Sequence, residues 1–182
     1  MIGINVFIEG PNGSGKSMLA DYVKNLLKYD QLNLGHRDGD QFVRYLSEYG
    51  RQRTVFCRAH WSEAVYSDLF ERSEPFTESE YLTLDSAAQL RGVTVLCLPL
   101  SADVLRERYA ARQKLEGMAQ VTVEKYAQLG HEWELWQWCL GEGLNRNPAN
   151  VIYTSVDHAD LLATAQKIAA LVKQREDSLA RR

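Results

Sequence analysis

Eight residues, Gly10-Pro11-Asn12-Gly13-Ser14-Gly15-Lys16-Ser17, restrict this chain more than any others, because of what flanks them. Before them, Ile4-Asn5-Val6-Phe7-Ile8-Glu9 is rich in β-branched and aromatic residues and predicts a buried strand. Behind them, residues 18–28 predict a helix with Leu19, Val23, Leu26 and Leu27 on one face. Strand, glycine turn and helix in that order are what a phosphate-cradling loop needs. Glycines let successive backbone N–H groups turn inward without a Cβ in the way, and the helix N-terminus adds partial positive charge. In the pattern G-x-x-x-x-G-K-S, the lysine reaches the β/γ-phosphates and the serine hydroxyl ligates Mg²⁺. A glycine-rich turn that merely joins strand to helix is the plainer alternative, but it has no need of Lys16 and Ser17 at the helix start. Gly10, Asn12, Gly13, Ser14, Gly15, Lys16 and Ser17 are therefore expected to hold nucleotide phosphates, with Ser17 as the metal ligand.

The 182 residues suffice for one well-buried domain and are too few for two, so 1–182 is read as a single unit. A net charge of −3 gives no overall basic field to attract nucleic acid, although a local basic groove stays open. Cys57, Cys97 and Cys139 are widely spaced and lack metal-ligand spacing. Cys97 lies in an apolar run, as a buried thiol in a reducing compartment would. The N-terminal apolar run is short and interrupted by Asn5 and Glu9, which excludes a signal or membrane span there. A cytoplasmic protein without a membrane partner is expected.

After the first helix, residues 32–34 predict a weak strand ending at His36-Arg37-Asp38-Gly39-Asp40, and Phe42, Val43 and Leu46 mark a short helix. Residues 54–57 predict a third strand leading straight into Arg58 and the segment to Tyr66. Residues 78–91 predict a helix with Tyr81, Leu82, Leu84 and Leu90 as apolar positions, ended by Gly92; residues 93–100 are the clearest buried strand. Ser101 is expected to cap a helix through Arg112. Residues 121–140 predict helix interrupted at Gly130, 151–156 a last strand, 160–176 a last amphipathic helix and 177–182 a frayed tail. Alternating strands and helices of this count predict a three-layer α/β/α sandwich on a five-stranded parallel sheet.

In such a sheet, ligands sit at the carboxyl ends of the strands. Arg37, Asp38 and Asp40 fall there after the second strand, and Arg58, His60, Ser62 and Glu63 after the third. An arginine so placed suits a second phosphate through its planar fork. A carboxylate opposite the glycine turn can orient or deprotonate an attacking hydroxyl, or hold Mg²⁺ through water. Solvated loop charges are the alternative for all of them. Trp61 either stacks on an acceptor base or packs in the core. Trp133, Trp136 and Trp138 could stack on bases too, but Leu129, Trp133, Trp136 and Leu140 follow helical spacing, which favours packing on the sheet or on a second copy in a homodimer.

The run Phe7 to Ser17 resembles the F-I-x-x-E-G-x-D-G-S-G-K-S/T opening of thymidylate kinases. Arg37-Asp38-Gly39 is similar to their R-E-P-G segment, and Arg58 to Tyr66 to their D-R-Y-x-x-S-x-x-A-Y-Q segment; Ser62-Glu63-Ala64-Val65-Tyr66 is similar to the S-E-x-V-Y run of viral and phage members. The resemblance implies a P-loop nucleoside-monophosphate-kinase fold with a lid-like helical segment at about 106–130. It implies ATP–Mg²⁺ on Lys16 and Ser17, the acceptor phosphate on Arg37 and Arg58, and the carboxylate role on Asp38. Lys16, Asp38 and Arg58 would be the catalytic residues. Arg108 and Arg112 would be lid arginines on the ATP side; charge balance at a helix C-terminus accounts for them equally without a ligand. Trp61, Glu63 and Tyr66 would line the acceptor. The chain departs from the family at Asn12 and Cys57, each in place of aspartate, and at Ser67, in place of a base-reading glutamine. The expected activity is ATP-dependent phosphoryl transfer to a free deoxynucleoside monophosphate. A kinase acting on a nucleotide or modified base within DNA or RNA, and a non-catalytic ATP-binding regulatory module, are the rival readings.

Overall fold

The computed structural model describes residues 3–35, 39–69, 73, 75–97, 103–104, 106–108, 110–111, 151–154 and 160–181. Its strands are β1 (Asn5–Glu9), β2 (Asp30–Asn33), β3 (Thr54–Cys57), β4 (Gly92–Cys97) and β5 (Val151–Thr154). Its helices are α1 (Lys16–Leu27), α2 (Gln41–Tyr49), α3 (His60–Leu69), α4 (Glu78–Arg91) and α5 (Leu161–Ala180). The strands pair in parallel in the order β2-β3-β1-β4-β5, the α/β arrangement expected from the alternation of elements.

β1 lies at the centre, and all five of its residues are buried because helices cover both faces of the sheet. The alternation along each strand sorts side chains between two cores. Val6 and Ile8, level with Val55 and Cys57 of β3 and with Val93 and Val95 of β4, join Leu19, Ala20 and Val23 of α1 and Ala165, Ile168 and Val172 of α5. Phe7, level with Phe56, points the other way and joins Tyr45 and Tyr49 of α2, Trp61 and Val65 of α3 and Leu84 and Ala88 of α4. Phe7 and Phe56 stack with ring centroids 5.0 Å apart, and Tyr49 meets both edge-on.

Several boundaries differ from the sequence expectation. β2 spans Asp30–Asn33 rather than 32–34, because its partner strand β3 places Asp30 opposite Thr54 and Asn33 opposite Cys57. α5 does not fray after Glu176 but continues to Ala180, where Leu179 packs on the core. Leu26 and Leu90 face outward, Leu90 at 78% exposure, so the apolar stripes of α1 and α4 are narrower than their spacing implied. Residues 103, 104, 106–108, 110 and 111 are helical. The remainder of the expected lid, the 121–140 segment with its tryptophans, and Cys139 lie outside the described residues.

Candidate active site

The glycine turn leaves β1 beside the end of β4. A Cβ on Gly10, whose φ is +138°, would lie 2.0 Å from the Cys97 carbonyl oxygen, so no other residue fits there without moving a strand. Gly13 and Gly15 have φ of 77° and 90° and carry the turn into α1. α2 is capped by the Asp40 carboxylate, and α4 by the Thr77 hydroxyl. α1 has no side-chain cap and no acidic residue in its first turn, which leaves its N-terminal positive end facing the turn. Lys16 Nζ donates to the Pro11 carbonyl at 3.0 Å, closing the turn across its own mouth. Ser14 Oγ is buried in the turn and has no hydrogen-bond partner among the described residues. An uncapped helix end, glycines at positive φ, a lysine and a buried hydroxyl fit an oligophosphate.

The metal position is less complete. Ser17 Oγ lies 3.6 Å from Cys57 Sγ, and burial raises the Cys57 thiol's pKa, so the thiol brings no negative charge to Ser17 at neutral pH. Among the described residues no group of three His, Cys, Asp or Glu side chains could hold a metal ion. A Mg²⁺ here would be carried mainly by nucleotide phosphates, with the Ser17 hydroxyl as the protein group within reach to hold it.

Opposite the turn stands Arg58, the first residue after β3. Its φ is +74°, a left-handed conformation that costs a non-glycine residue roughly 1–2 kcal/mol. Its guanidinium donates to Asn12 Oδ1 at 2.7 Å and lies 5.9 Å from the centroid of the Tyr66 ring. The Tyr66 hydroxyl accepts from the Asn12 backbone N–H at 3.1 Å. Asn12, Arg58 and Tyr66 thus form one connected group joining the turn to α3. Arg108 reaches the same turn from the helical residues 106–108, its Nη1 donating to the Gly13 carbonyl at 3.4 Å. Glu63 is buried and its Oε1 accepts from the Tyr45 hydroxyl at 3.2 Å.

One expected assignment changes with the structure. Trp61 is 1% exposed, packed edge-on against Phe7 and 4.2 Å from His60 between ring centroids, so it is a core residue with no face to offer a base. Asp40, for which the sequence leaves an acceptor-side role and a plain loop charge open, accepts from Val43 N at 3.0 Å as the α2 cap. Arg37, Asp38 and Arg112 lie outside the described residues. Cys97 is fully buried as expected, and burial pushes its thiol up to about 12.

Sequence reasoning missed Glu9, which it placed at the end of the buried strand without a role in the site. It is 1% exposed, and its carboxylate takes Ala59 N at 2.5 Å and Ser62 N at 3.2 Å on Oε1 and Ser62 Oγ at 2.5 Å on Oε2. Burial pushes it up to about 7, against the opposing pull of the Ser62 hydroxyl, the Ala59 amide, the Lys16 charge and the Ser62 amide. The available signal was an acidic residue ending a strand otherwise fit for complete burial, since a buried carboxylate needs dedicated partners.

No family model matches the chain, and a search of curated proteins finds no match. Solved structures do resemble it. The YorR protein from Bacillus subtilis, in complex with phosphorylated GDP, is similar over 95% of this chain and 98% of its own, with a TM-score of 0.74 at 16% identity. Shikimate kinase from Acinetobacter baumannii, in complex with shikimate, is similar over 95% and 94%, with a TM-score of 0.60 at 16% identity. Deoxyadenosine kinase from M. mycoides, with bound dCTP, is similar over 90% and 97%, with a TM-score of 0.54 at 12% identity. At these identities the likeness defines the fold, the parallel α/β fold shared with P-loop kinases.

Proposed function

We propose that this chain is an ATP-dependent kinase of the nucleoside-monophosphate-kinase type, transferring the γ-phosphoryl group of ATP to a free deoxynucleoside monophosphate in a thymidylate-kinase-like reaction. The observation that carries this reading is the pairing of two anion-suited surfaces. The uncapped N-terminus of α1 lies behind the glycine turn, and Arg58 is held against Asn12 of that turn.

On this reading Lys16 exchanges the Pro11 carbonyl for the β/γ-phosphates, and backbone N–H groups around Gly13, Ser14 and Gly15 take the remaining oxygens. Mg²⁺, with Ser17 as its ligand, supplies charge neutralisation on the phosphates when bound. Arg58 holds the acceptor phosphate with Arg37, and Arg108 and Arg112 neutralise the transferring group. Tyr66 and Glu63 border the acceptor, and Asp38 orients it. Little covalent work falls to the protein; positioning and electrostatic complementarity dominate phosphoryl transfer. Pyrimidine preference follows from the sequence resemblance alone. A cytoplasmic location, where ATP and reduced thiols coexist, belongs to the same reading.

A single experiment compares acceptors. Radiolabelled ATP is incubated with a panel of free deoxynucleoside monophosphates and, separately, with single- and double-stranded DNA. Label should pass to a free monophosphate. The Lys16→Ala variant should lose at least about tenfold in affinity for an ATP analogue, the scale of a lost charge-assisted contact. Label in DNA alone would replace the reading with a polynucleotide kinase. ATP binding without transfer to either would favour a regulatory module, for which the uncharged Cys57 beside Ser17 is the supporting observation. Equal affinity in the wild type and Lys16→Ala would remove the nucleotide assignment itself.

A further inference from the structure

The conformation of Arg58 is held from two consecutive residues of β1. A residue's φ and ψ are set by the orientations of the two rigid peptide planes that flank its Cα. The plane before Arg58 carries the Arg58 N–H, which donates to the Ile8 carbonyl at 3.0 Å. The plane after it carries the Ala59 N–H, which donates to the Glu9 carboxylate at 2.5 Å. The same carboxylate takes the Ser62 N–H and hydroxyl in the first turn of α3. One turn further along α3, Tyr66 accepts from Asn12 N and presents its ring to the Arg58 guanidinium.

We propose that Glu9 is a positioning residue for Arg58: its carboxylate, by gripping the Ala59 amide and the start of α3, imposes the left-handed conformation from which the arginine reaches Asn12 and the acceptor side of the cleft. This rests on the reading of Arg58 as the acceptor-phosphate ligand. Glu9 is not the base of the reaction, because its oxygens are taken up by three donors in the interior. What α3 needs from residue 9 is an acceptor oxygen at the reach of a glutamate side chain. Glutamine supplies that oxygen without the charge. Aspartate keeps the charge and falls one methylene short. Reach and charge therefore separate cleanly in two conservative variants.

The test measures binding of dTMP by calorimetry and the backbone chemical shifts of Arg58 and Ala59 by NMR. The variants are Glu9→Gln, Glu9→Asp, Glu9→Ala and Arg58→Ala, with each Glu9 change also made in the Arg58→Ala background. Arg58→Ala should weaken dTMP by about a hundredfold, as loss of a bidentate charge-assisted contact does. Glu9→Asp and Glu9→Ala should each weaken it by about tenfold or more, with Arg58 shifts leaving left-handed values, while Glu9→Gln stays within about threefold, as retention of both amide bonds predicts. In the Arg58→Ala background the Glu9 changes should have no further effect on dTMP, the non-additivity of a coupled pair. Affinity for an ATP analogue should stay within about twofold throughout if only the acceptor side is coupled. Should Glu9→Ala not fold, the order of Glu9→Asp against Glu9→Gln carries the test. Full additivity with Arg58→Ala, or unchanged Arg58 shifts in Glu9→Asp, would overturn the proposal. If Arg58→Ala leaves dTMP binding intact while Glu9→Asp still moves the Arg58 shifts, the acceptor reading has failed and the conformational role of Glu9 stands.

Discussion

Burial moves Glu9 and His60, both fully enclosed at the corner between β3 and α3, in opposite directions. His60 is pushed down to about 3; its Nδ1 is paired with the Tyr49 hydroxyl at 2.9 Å. Glu9 is pushed up from 4.5 to about 7. Between those two values the folded chain keeps a proton on Glu9 that the unfolded chain has released, so this contribution to stability falls as pH rises. For His60, between about 3 and its ordinary 6.5, the unfolded chain is protonated and the folded one is not, so its contribution rises with pH. The two oppose each other from 4.5 to 6.5. Urea denaturation from pH 4 to 8 separates them by variants. Relative to Glu9→Gln, the wild type should lose stability from pH 4.5 to 7 with a slope of up to about 1.4 kcal/mol per pH unit. Relative to His60→Asn, it should gain stability over pH 4 to 6.5. Parallel profiles for the wild type and Glu9→Gln would mean that Glu9 titrates in the fold as it does in the unfolded chain. At this scale Lys16, Ser17 and Gly10 were legible because their spacing is itself the motif. Trp61 was not, since a residue four positions past a strand end can face the cleft or the core, and only the packing of Phe7 against it chose the core.

Elements were legible where their signals are local. α4 spans Glu78–Arg91 as its sequence predicts, and its start is fixed by a reciprocal pair: Glu80 N donates to Thr77 Oγ1 at 3.4 Å, and Thr77 N to Glu80 Oε2 at 2.8 Å. Thr77→Ala should lower stability by about 1 kcal/mol without changing nucleotide affinity, since the cap lies on an exposed helix end. A loss below a few tenths of a kcal/mol in urea denaturation would show that packing of Leu84 and Ala88 alone holds that helix. α5 was only partly legible, because its last turns depend on distant partners. Glu176 Oε1 accepts from the Tyr29 hydroxyl at 2.8 Å and from Ile4 N at 3.4 Å. Arg175 donates to the carbonyls of Gly92 at 2.7 Å and Gln89 at 3.0 Å. The two charged residues just before the expected frayed tail are thereby tied to the residue before β1, to the residue before β2 and to the junction of α4 with β4.

For the whole molecule, β1 is the strand on which both cores and the cleft converge, paired on each side and covered above and below. Its amides should open only with global unfolding, whereas β2, at the sheet edge with a half-exposed pattern, should open locally. Hydrogen exchange by NMR should therefore give Val6, Phe7 and Ile8 protection several orders of magnitude above that of Gln31 and Leu32; equal protection would mean that the sheet opens as one unit. The sequence by itself determined the strand, glycine turn and helix around Lys16, the alternation that makes the sheet parallel, and the burial of Cys97. Each follows from periodicity or spacing within a few residues. Only the tertiary structure decided that Glu9 holds Ala59, fifty positions away along the chain, that Arg58 adopts a left-handed backbone, and that Trp61 turns inward. A hydrogen bond of about 3 Å between groups so far apart in sequence exists only once the helices and strands carrying them have packed, and no local pattern encodes that packing.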